Sequence, residues 1–243
     1  MSAGLPRQQF LAAAFLAAVP GVAVLSAAAE STAAETPAPP EAYDGTVPFP
    51  FDRAAFGAIL ERPFAHRQIA AATTFASAAS AMHFLQASLD AYADPNGFDA
   101  GPKALHVAAV LYGGPSPFIV LDDVMWSKYS LANHTGAAQG SATALASLAL
   151  PAPGLNPHRA MLEGLARDHA ASFFVCNNAL SGLAALIAKA LAPAGSLPTR
   201  AQTVAIHADF TTHLLPGATM VPAGVAALNA AQEARFTLIP ART

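Results

Sequence analysis

The chain contains a single cysteine, Cys176, within the stretch SFFVCNNAL at residues 172–180. A cysteine thiolate is a strong nucleophile, whereas a neutral cysteine in the core is a small apolar side chain with little reactivity. The apolar run predicts a buried strand at 172–175, and the spacing of the following leucines predicts a helix at 178–191. The sulfur is therefore expected where a strand ends and a helix begins.

That position favours anion chemistry. In open α/β sheets ligands bind beyond the carboxyl ends of the strands, and the free N–H groups of a helix N-terminus stabilise negative charge. Asn177 or Asn178 is the predicted N-cap of the helix, and both are candidate substrate-binding residues. On this interpretation Cys176 is an accessible thiol with catalytic function. The same residues are equally compatible with a buried cysteine that only fills space.

Other familiar motifs are absent from the sequence. There is no G-x-x-x-x-G-K-[ST], G-x-G-x-x-G or G-x-S-x-G pattern. Gly113 and Gly114 follow an apolar run at 105–112 and are the remaining candidates for a ligand-binding loop. The eight histidines form no H-E-x-x-H motif or close pair, and no second cysteine could complete a zinc site. We therefore predict neither a metal nor a cofactor.

The histidines near the end of the chain are expected to have structural roles. His207 and His213 lie six residues apart, off a common helical face, so solvated or capping positions are predicted for them. Asp209 and His213 are four residues apart and are expected to form a modest surface pair.

The remaining periodicity predicts alternating strands and helices, and hence an α/β fold with a largely parallel sheet. A mixed Gly, Ser, Ala and Pro segment at 130–157 predicts a long loop insertion. The predicted strands are at 105–112, 172–175, 218–221 and 235–239, and the predicted helices at 73–92, 118–129, 158–169, 178–191, 199–215 and 223–234.

The N-terminal residues have the layout of a secretory signal peptide. Arg7 precedes an apolar stretch at 10–25 and then small residues, with cleavage expected near Ala28 or Ala29. The apolar stretch is short and interrupted, which argues against stable membrane insertion. PRQQFL is similar to the twin-arginine signature except at Gln8, so either export route remains open. A periplasmic location is expected.

The remaining chain divides into a spacer and a folded part. Residues 30–50 are rich in proline and alanine and are predicted to be a disordered spacer. Residues 51–243 are predicted to form one domain, with folded structure from near Phe51. A formal net charge of −3 without basic runs gives no reason to expect nucleic acid as a partner.

Two segments together resemble the DsrE/DsrF-like sulfur-transfer family. These are FFVCNNAL at 173–180 and LLPGATMVPAGVAALNAAQEARFTLIP at 214–240. The resemblance implies a small doubly wound α/β subunit with helices on both faces of the sheet, assembled as a homo-oligomer. It also implies that Cys176 carries sulfur as a persulfide. The implied partners are a small sulfur-containing donor or acceptor, or a sulfur-accepting protein.

Three functional hypotheses follow. The first is a persulfide carrier that uses Cys176. The second is a periplasmic ligand-binding module with a pocket between the Gly113-Gly114-Pro115 loop and the cysteine turn. The third is a structural oligomer without catalytic activity, in which Cys176 contributes only to packing. The characterised sulfur relays of the family are cytoplasmic, so an exported member would differ from them in location.

Overall fold

Five parallel strands form the centre of the structure, a computed structural model that describes residues 45–98, 100–101, 104–135 and 154–239. The predicted signal peptide and most of the predicted insertion lie outside these residues. The strands are β1 (His66–Ala72), β2 (Leu105–Leu111), β3 (Ser172–Cys176), β4 (Ala218–Val221) and β5 (Thr237–Ile239), in the order β4-β3-β2-β1-β5. The α-helices are α1 (Arg53–Leu60), α2 (Phe75–Ala93), α3 (Asp123–Lys128), α4 (Arg159–His169), α5 (Asn177–Leu191), α6 (Arg200–Thr212) and α7 (Gly224–Glu233).

The sheet is doubly wound, which confirms the predicted fold class. From β1 to β4 the chain adds each strand on the same side of the previous one, and α7 then returns it to β5 at the opposite edge. Because parallel crossovers are almost always right-handed, this reversal requires α7 to lie on the opposite face from the earlier helices. The first face is covered by α2, α4, α5 and α6, and the second face by α1 and α7.

The central strand β2 shows how the two cores share one sheet. All seven of its residues are buried, as expected for a parallel strand covered on both faces. Because side chains alternate along a strand, Val107 and Ala109 pack on the first face, and Ala108 and Val110 pack on the second.

The sequence did not predict α1 or β1. The β1 sequence HRQIAAA contains one β-branched residue and three alanines, so it has little intrinsic strand preference. Its strand conformation depends on pairing with β2 along all seven residues and with β5 along three. Tertiary contacts therefore determine the conformation of this segment.

The predicted helix at 118–129 is wrong in its first half. The chain forms a 3₁₀ turn at Ser116–Val120, becomes extended at Leu121, and begins α3 at Asp123. Asn156 stabilises the break, because its side-chain amide donates 2.7 Å hydrogen bonds to the carbonyls of Ile119 and Leu121. An unbroken helix would use the Ile119 and Leu121 carbonyls for its own hydrogen bonds.

Gly224 allows α7 to begin directly against the end of β2. A Cβ atom at this position would lie 2.0 Å from Tyr112 Cβ and 3.1 Å from Val110 Cγ1. Tyr112 Cβ is bonded directly to the backbone at the end of β2, so side-chain rotation cannot relieve the 2.0 Å contact. Any residue other than glycine must therefore displace α7 from the sheet.

We predict that Gly224→Ala lowers the free energy of unfolding by about 1–3 kcal/mol or more because of this overlap. Gly182→Ala is the matched control, since a Cβ at this position in the interior of α5 would meet no atom within 4 Å. That control should stabilise the protein by about 0.5–1 kcal/mol through helix propensity. Urea denaturation measures both, and equal effects of the two substitutions would contradict the proposed contact.

Candidate functional site

The structure places Cys176 at the predicted strand-to-helix turn. It is the last residue of β3, where it pairs with Val221 of β4, and also the N-cap of α5. The prediction that Asn177 or Asn178 caps the helix is wrong. The chain becomes helical directly after the strand, so these asparagines form the first turn of α5, and no side chain of the described residues caps it.

The cysteine turn lies where the winding of the sheet reverses. After β3 the chain enters α5 on the first face, whereas after β4 it enters α7 on the second face. Adjacent strands whose following segments diverge in this way leave a crevice at the carboxyl edge, and ligands of open α/β proteins bind there. Cys176 and Val221 are the terminal residues of these two strands.

The Cys176 thiol is free and buried, with 4% of the residue exposed. The expectation of an accessible thiol is therefore not met in this conformation. Because Cys176 continues the alternation of β3, its side chain lies on the same face as Phe174, the second face. A donor molecule could reach the sulfur only after a local rearrangement.

Asn177 connects three segments through its buried amide. Its Nδ2 donates a 2.8 Å hydrogen bond to the Val47 carbonyl, and its Oδ1 lies 2.8 Å from Nε2 of His207 on α6. A carbonyl can only accept, so Val47 determines the orientation of the amide, and Oδ1 must accept from His207 Nε2–H. Burial lowers the pKa of His207, which favours the neutral ring with Nδ1 unprotonated.

The predicted solvated or capping role of His207 is wrong, since only 3% of the residue is exposed. Its position on α6 brings it against the first turn of α5, and the two helices come from separate segments of the sequence. A local pattern of histidine spacing contains no information about this contact.

Residues 45–50, here called the N-terminal strap, lie against the same turn. Val47 is buried, its N–H donates to Ser181 Oγ at 3.0 Å, and its carbonyl accepts from Asn177. Ser181 and Asn177 are one helical turn apart on α5, so both hydrogen bonds attach one residue of the strap to one helix face. Packed structure thus extends N-terminal of the boundary predicted near Phe51, while residues 30–44 lie outside the described part.

Gly113 and Gly114 lie in the loop after β2, at the same edge of the sheet as Cys176. A Cβ at Gly113 would lie 3.1 Å from Thr73 Cβ, and one at Gly114 would lie 2.8 Å from the Thr73 carbonyl oxygen. Gly114 also has a φ of +43°, which disfavours other residues. Close packing against Thr73 explains both glycines, and a ligand-binding role for them remains a prediction. Asn178 is exposed on the first turn of α5.

The expected Asp209–His213 pair does not form. Asp209 accepts hydrogen bonds from Lys128 and Tyr129, while His213 Nδ1 lies 2.8 Å from Asp122 Oδ2. Both members of the predicted pair have other partners because the end of α6 packs against α3 and its cap. These contacts lie at the α3–α6 interface and involve neither Cys176 nor Asn177.

The fold and the turn define an open, doubly wound α/β domain with one cysteine at its winding reversal. Within residues 45–98, 100–101, 104–135 and 154–239, no group of three or more His, Cys, Asp or Glu side chains is arranged to hold a metal ion. None of the helices described there combines the length and apolar character needed to cross a membrane. Comparison with known protein families, curated proteins and solved structures finds no match for this chain.

A second buried polar cluster lies at the opposite, amino edge of the sheet. His106 is fully buried, with Nε2 3.2 Å from Ser172 Oγ and its ring stacked on Phe64 at 4.9 Å. Burial, followed by the charges of Arg62 and Arg67, lowers the pKa of His106 from 6.5 to about 4. A histidine inside the apolar run LHVAAVL was the available sequence signal for this cluster.

We predict that His106 makes the protein less stable as the pH falls from about 6.5 to about 4. In this range the unfolded chain binds a proton that the folded ring excludes, so acid favours unfolding. The difference in pKa corresponds to about 3 kcal/mol at most. Urea denaturation across this range should show a weaker pH dependence for His106→Gln. His66→Gln, at an exposed position, should retain the wild-type dependence. Parallel curves for wild type and His106→Gln would contradict the assignment.

We also predict that Asn177→Ala is strongly destabilising. It leaves the Val47 carbonyl and His207 Nε2–H without partners, at roughly 1–3 kcal/mol for each buried group. Asn178→Ala is the matched control, because this neighbouring asparagine is exposed and its substitution should change stability by less than about 0.5 kcal/mol. Urea denaturation compares the two, and similar effects would show that the amide does not join strap and helices.

Proposed function

We propose that this protein holds sulfane sulfur as a persulfide on Cys176 and transfers it to a small thiol or to an acceptor protein. The observation that carries the proposal is the position of Cys176, at the winding reversal of the sheet and at the N-cap of a 15-residue helix. The resemblance to DsrE/DsrF-like proteins in the same turn supports it. Periplasmic location and homo-oligomeric assembly belong to the same proposal.

The N-cap position suits an anionic sulfur. An N-cap side chain normally accepts hydrogen bonds from the backbone N–H groups of the first helical turn. No side chain in the part of the chain that the structure describes caps α5. A persulfide is longer than a thiol by one sulfur atom, so its terminal sulfur can extend toward these donors. The helix dipole adds a favourable interaction with the negative charge.

The transfer step is balanced without an external oxidant. The Cys176 thiolate attacks the outer sulfur of a donor persulfide R–S–SH, a new S–S bond forms, and the donor S–S bond breaks. R–S⁻ leaves with the electron pair, and Cys176 retains the –S–SH group. Attack of an acceptor thiolate on that outer sulfur reverses the exchange and regenerates the Cys176 thiolate.

Loading requires the buried sulfur to become accessible, and we assign this opening to the strap. Val47 is attached to the first two turns of α5 by two hydrogen bonds, next to the residue that would react. Net contributions of about 0.5–1.5 kcal/mol per hydrogen bond would allow the segment to detach without unfolding the domain. Detachment would uncover the face of α5 that carries Asn177 and Ser181, directly after Cys176 in the chain.

The burial of Cys176 favours a second hypothesis, in which the thiol is a packing residue without chemistry. A buried free cysteine contributes as a small apolar group, and 4% exposure fits that role. The two hypotheses differ in whether native protein takes up sulfur and in how Cys176→Ser affects stability.

We predict that the native protein treated with inorganic polysulfide gains the mass of one sulfur atom, whereas Cys176→Ser gains none. Ser181→Ala removes the acceptor of the Val47 N–H and should accelerate loading, because the strap detaches more readily. Ser196→Ala is the control, since this exposed hydroxyl donates only to the nearby Pro193 carbonyl and should leave the rate unchanged. Intact-protein mass spectrometry over time measures all four.

The packing hypothesis makes the opposite prediction. Native Cys176 would resist both sulfur uptake and alkylation, and Ser181→Ala would not change this. Cys176→Ser would then place a hydroxyl in an apolar site and destabilise the fold by roughly 1–3 kcal/mol. That set of results would refute the persulfide proposal.

A further inference from the structure

A cavity of about 200 Å³ lies between α1, α7 and the carboxyl end of β4. Its walls are apolar and come from both helices and from the strand end. The principal apolar lining residues are Phe51, Phe56, Val221, Pro222 and Ala227. Among the lining residues that the structure describes, Arg53 is the charged one.

The cavity and the thiol lie on the same face of the sheet. Val221 lines the cavity and pairs directly with Cys176, so one strand spacing of about 4.8 Å separates their backbones. Phe174, two residues before Cys176 on the same face, shares the core cluster of Phe56 and Val221. The cavity wall at Val221 is therefore one strand away from Cys176, on the β4 side of the crevice.

Arg53 gives the cavity a specific charge preference. It is exposed at the first position of α1 and makes no hydrogen bond or ion pair within the described part of the chain. A guanidinium binds carboxylate, sulfinate and sulfonate oxygens with two parallel hydrogen bonds. An anion is consequently the charged group that this site can accept.

The volume limits the apolar part of a ligand. An apolar cavity of roughly 150 Å³ accommodates benzene in a protein interior, so one aromatic ring or a short branched alkyl group fits here. We propose that this cavity binds small organic anions of that size, with the ring against Phe56 and Val221 and the anionic group on Arg53. If Cys176 carries a persulfide, as proposed above, the sulfur donor that fits this site is an organic thiosulfonate R–SO₂–S⁻.

The corresponding transfer step conserves atoms and electrons. The Cys176 thiolate attacks the outer sulfur of the thiosulfonate, and the bond between this sulfur and the sulfonyl sulfur breaks. The sulfinate R–SO₂⁻ leaves with the electron pair, and Cys176 carries the persulfide. The sulfinate retains the charge that Arg53 recognises.

Binding is tested without chemistry by titrating benzenesulfonate into the Cys176→Ser protein and measuring the heat of binding. We expect saturable binding that Arg53→Gln weakens about tenfold or more, because a charge-assisted hydrogen bond is lost. Ala226→Leu, at an exposed position that lines the cavity, should abolish binding by filling it. Val225→Leu, on the same helix but outside the lining, should leave the affinity unchanged.

Sulfur loading is measured separately on the wild-type protein, with polysulfide and with benzenethiosulfonate. Loading by both reagents, with Arg53→Gln slowing only the second, supports the inference. The proposed anion site is overturned if benzenesulfonate shows no saturable binding. It is also overturned if Arg53→Gln, Ala226→Leu and Val225→Leu all bind benzenesulfonate equally, even if polysulfide loads Cys176. If benzenesulfonate binds saturably but neither polysulfide nor benzenethiosulfonate loads Cys176, the anion site stands. The thiosulfonate donor and the persulfide proposal are then both refuted.

Discussion

The reversal of winding between β3 and β4 is the constraint on which the functional geometry depends. Because the chain leaves these neighbouring strands toward opposite faces, α5 and α7 begin on either side of one crevice. Cys176 and Val221 end the two strands in register, so the thiol and the cavity wall occupy the same edge of the sheet. The absence of a side chain at Gly224 allows α7 to pack closely against Tyr112 at that edge.

The amide of Asn177 constrains the structure on the α5 side of the crevice. Its Nδ2 donates to the strap and its Oδ1 accepts from α6, so the amide joins both segments to α5. Removing either hydrogen bond leaves a buried polar group unpaired. Asn177 also directly follows Cys176 in the chain. Any movement that exposes Cys176 by releasing Val47 must therefore break the hydrogen bonds of Val47 with both Asn177 and Ser181.

The two edges of the sheet use buried polar groups differently. At the carboxyl edge, Asn177 is hydrogen-bonded to both His207 and Val47 of the strap, and these contacts position the N-terminus of α5. At the amino edge, His106 Nε2 lies within hydrogen-bond distance of Ser172, while Nδ1 has no partner among the described residues. Burial, followed by the charges of Arg62 and Arg67, lowers the pKa of His106 and disfavours its protonation, so acid destabilises this edge of the sheet.

The sequence alone determined the fold class, four of the five strands and the turn that contains Cys176. These features depend on local periodicity and on apolar runs, which neighbouring residues encode. The tertiary structure decided the conformation of β1, whose alanines have little strand preference until β2 and β5 pair with them. It also decided the burial of Cys176 and the role of His207. His207 contacts Asn177, 30 residues away in the chain, and Asn177 contacts Val47, 130 residues away. No local pattern encodes contacts over such separations.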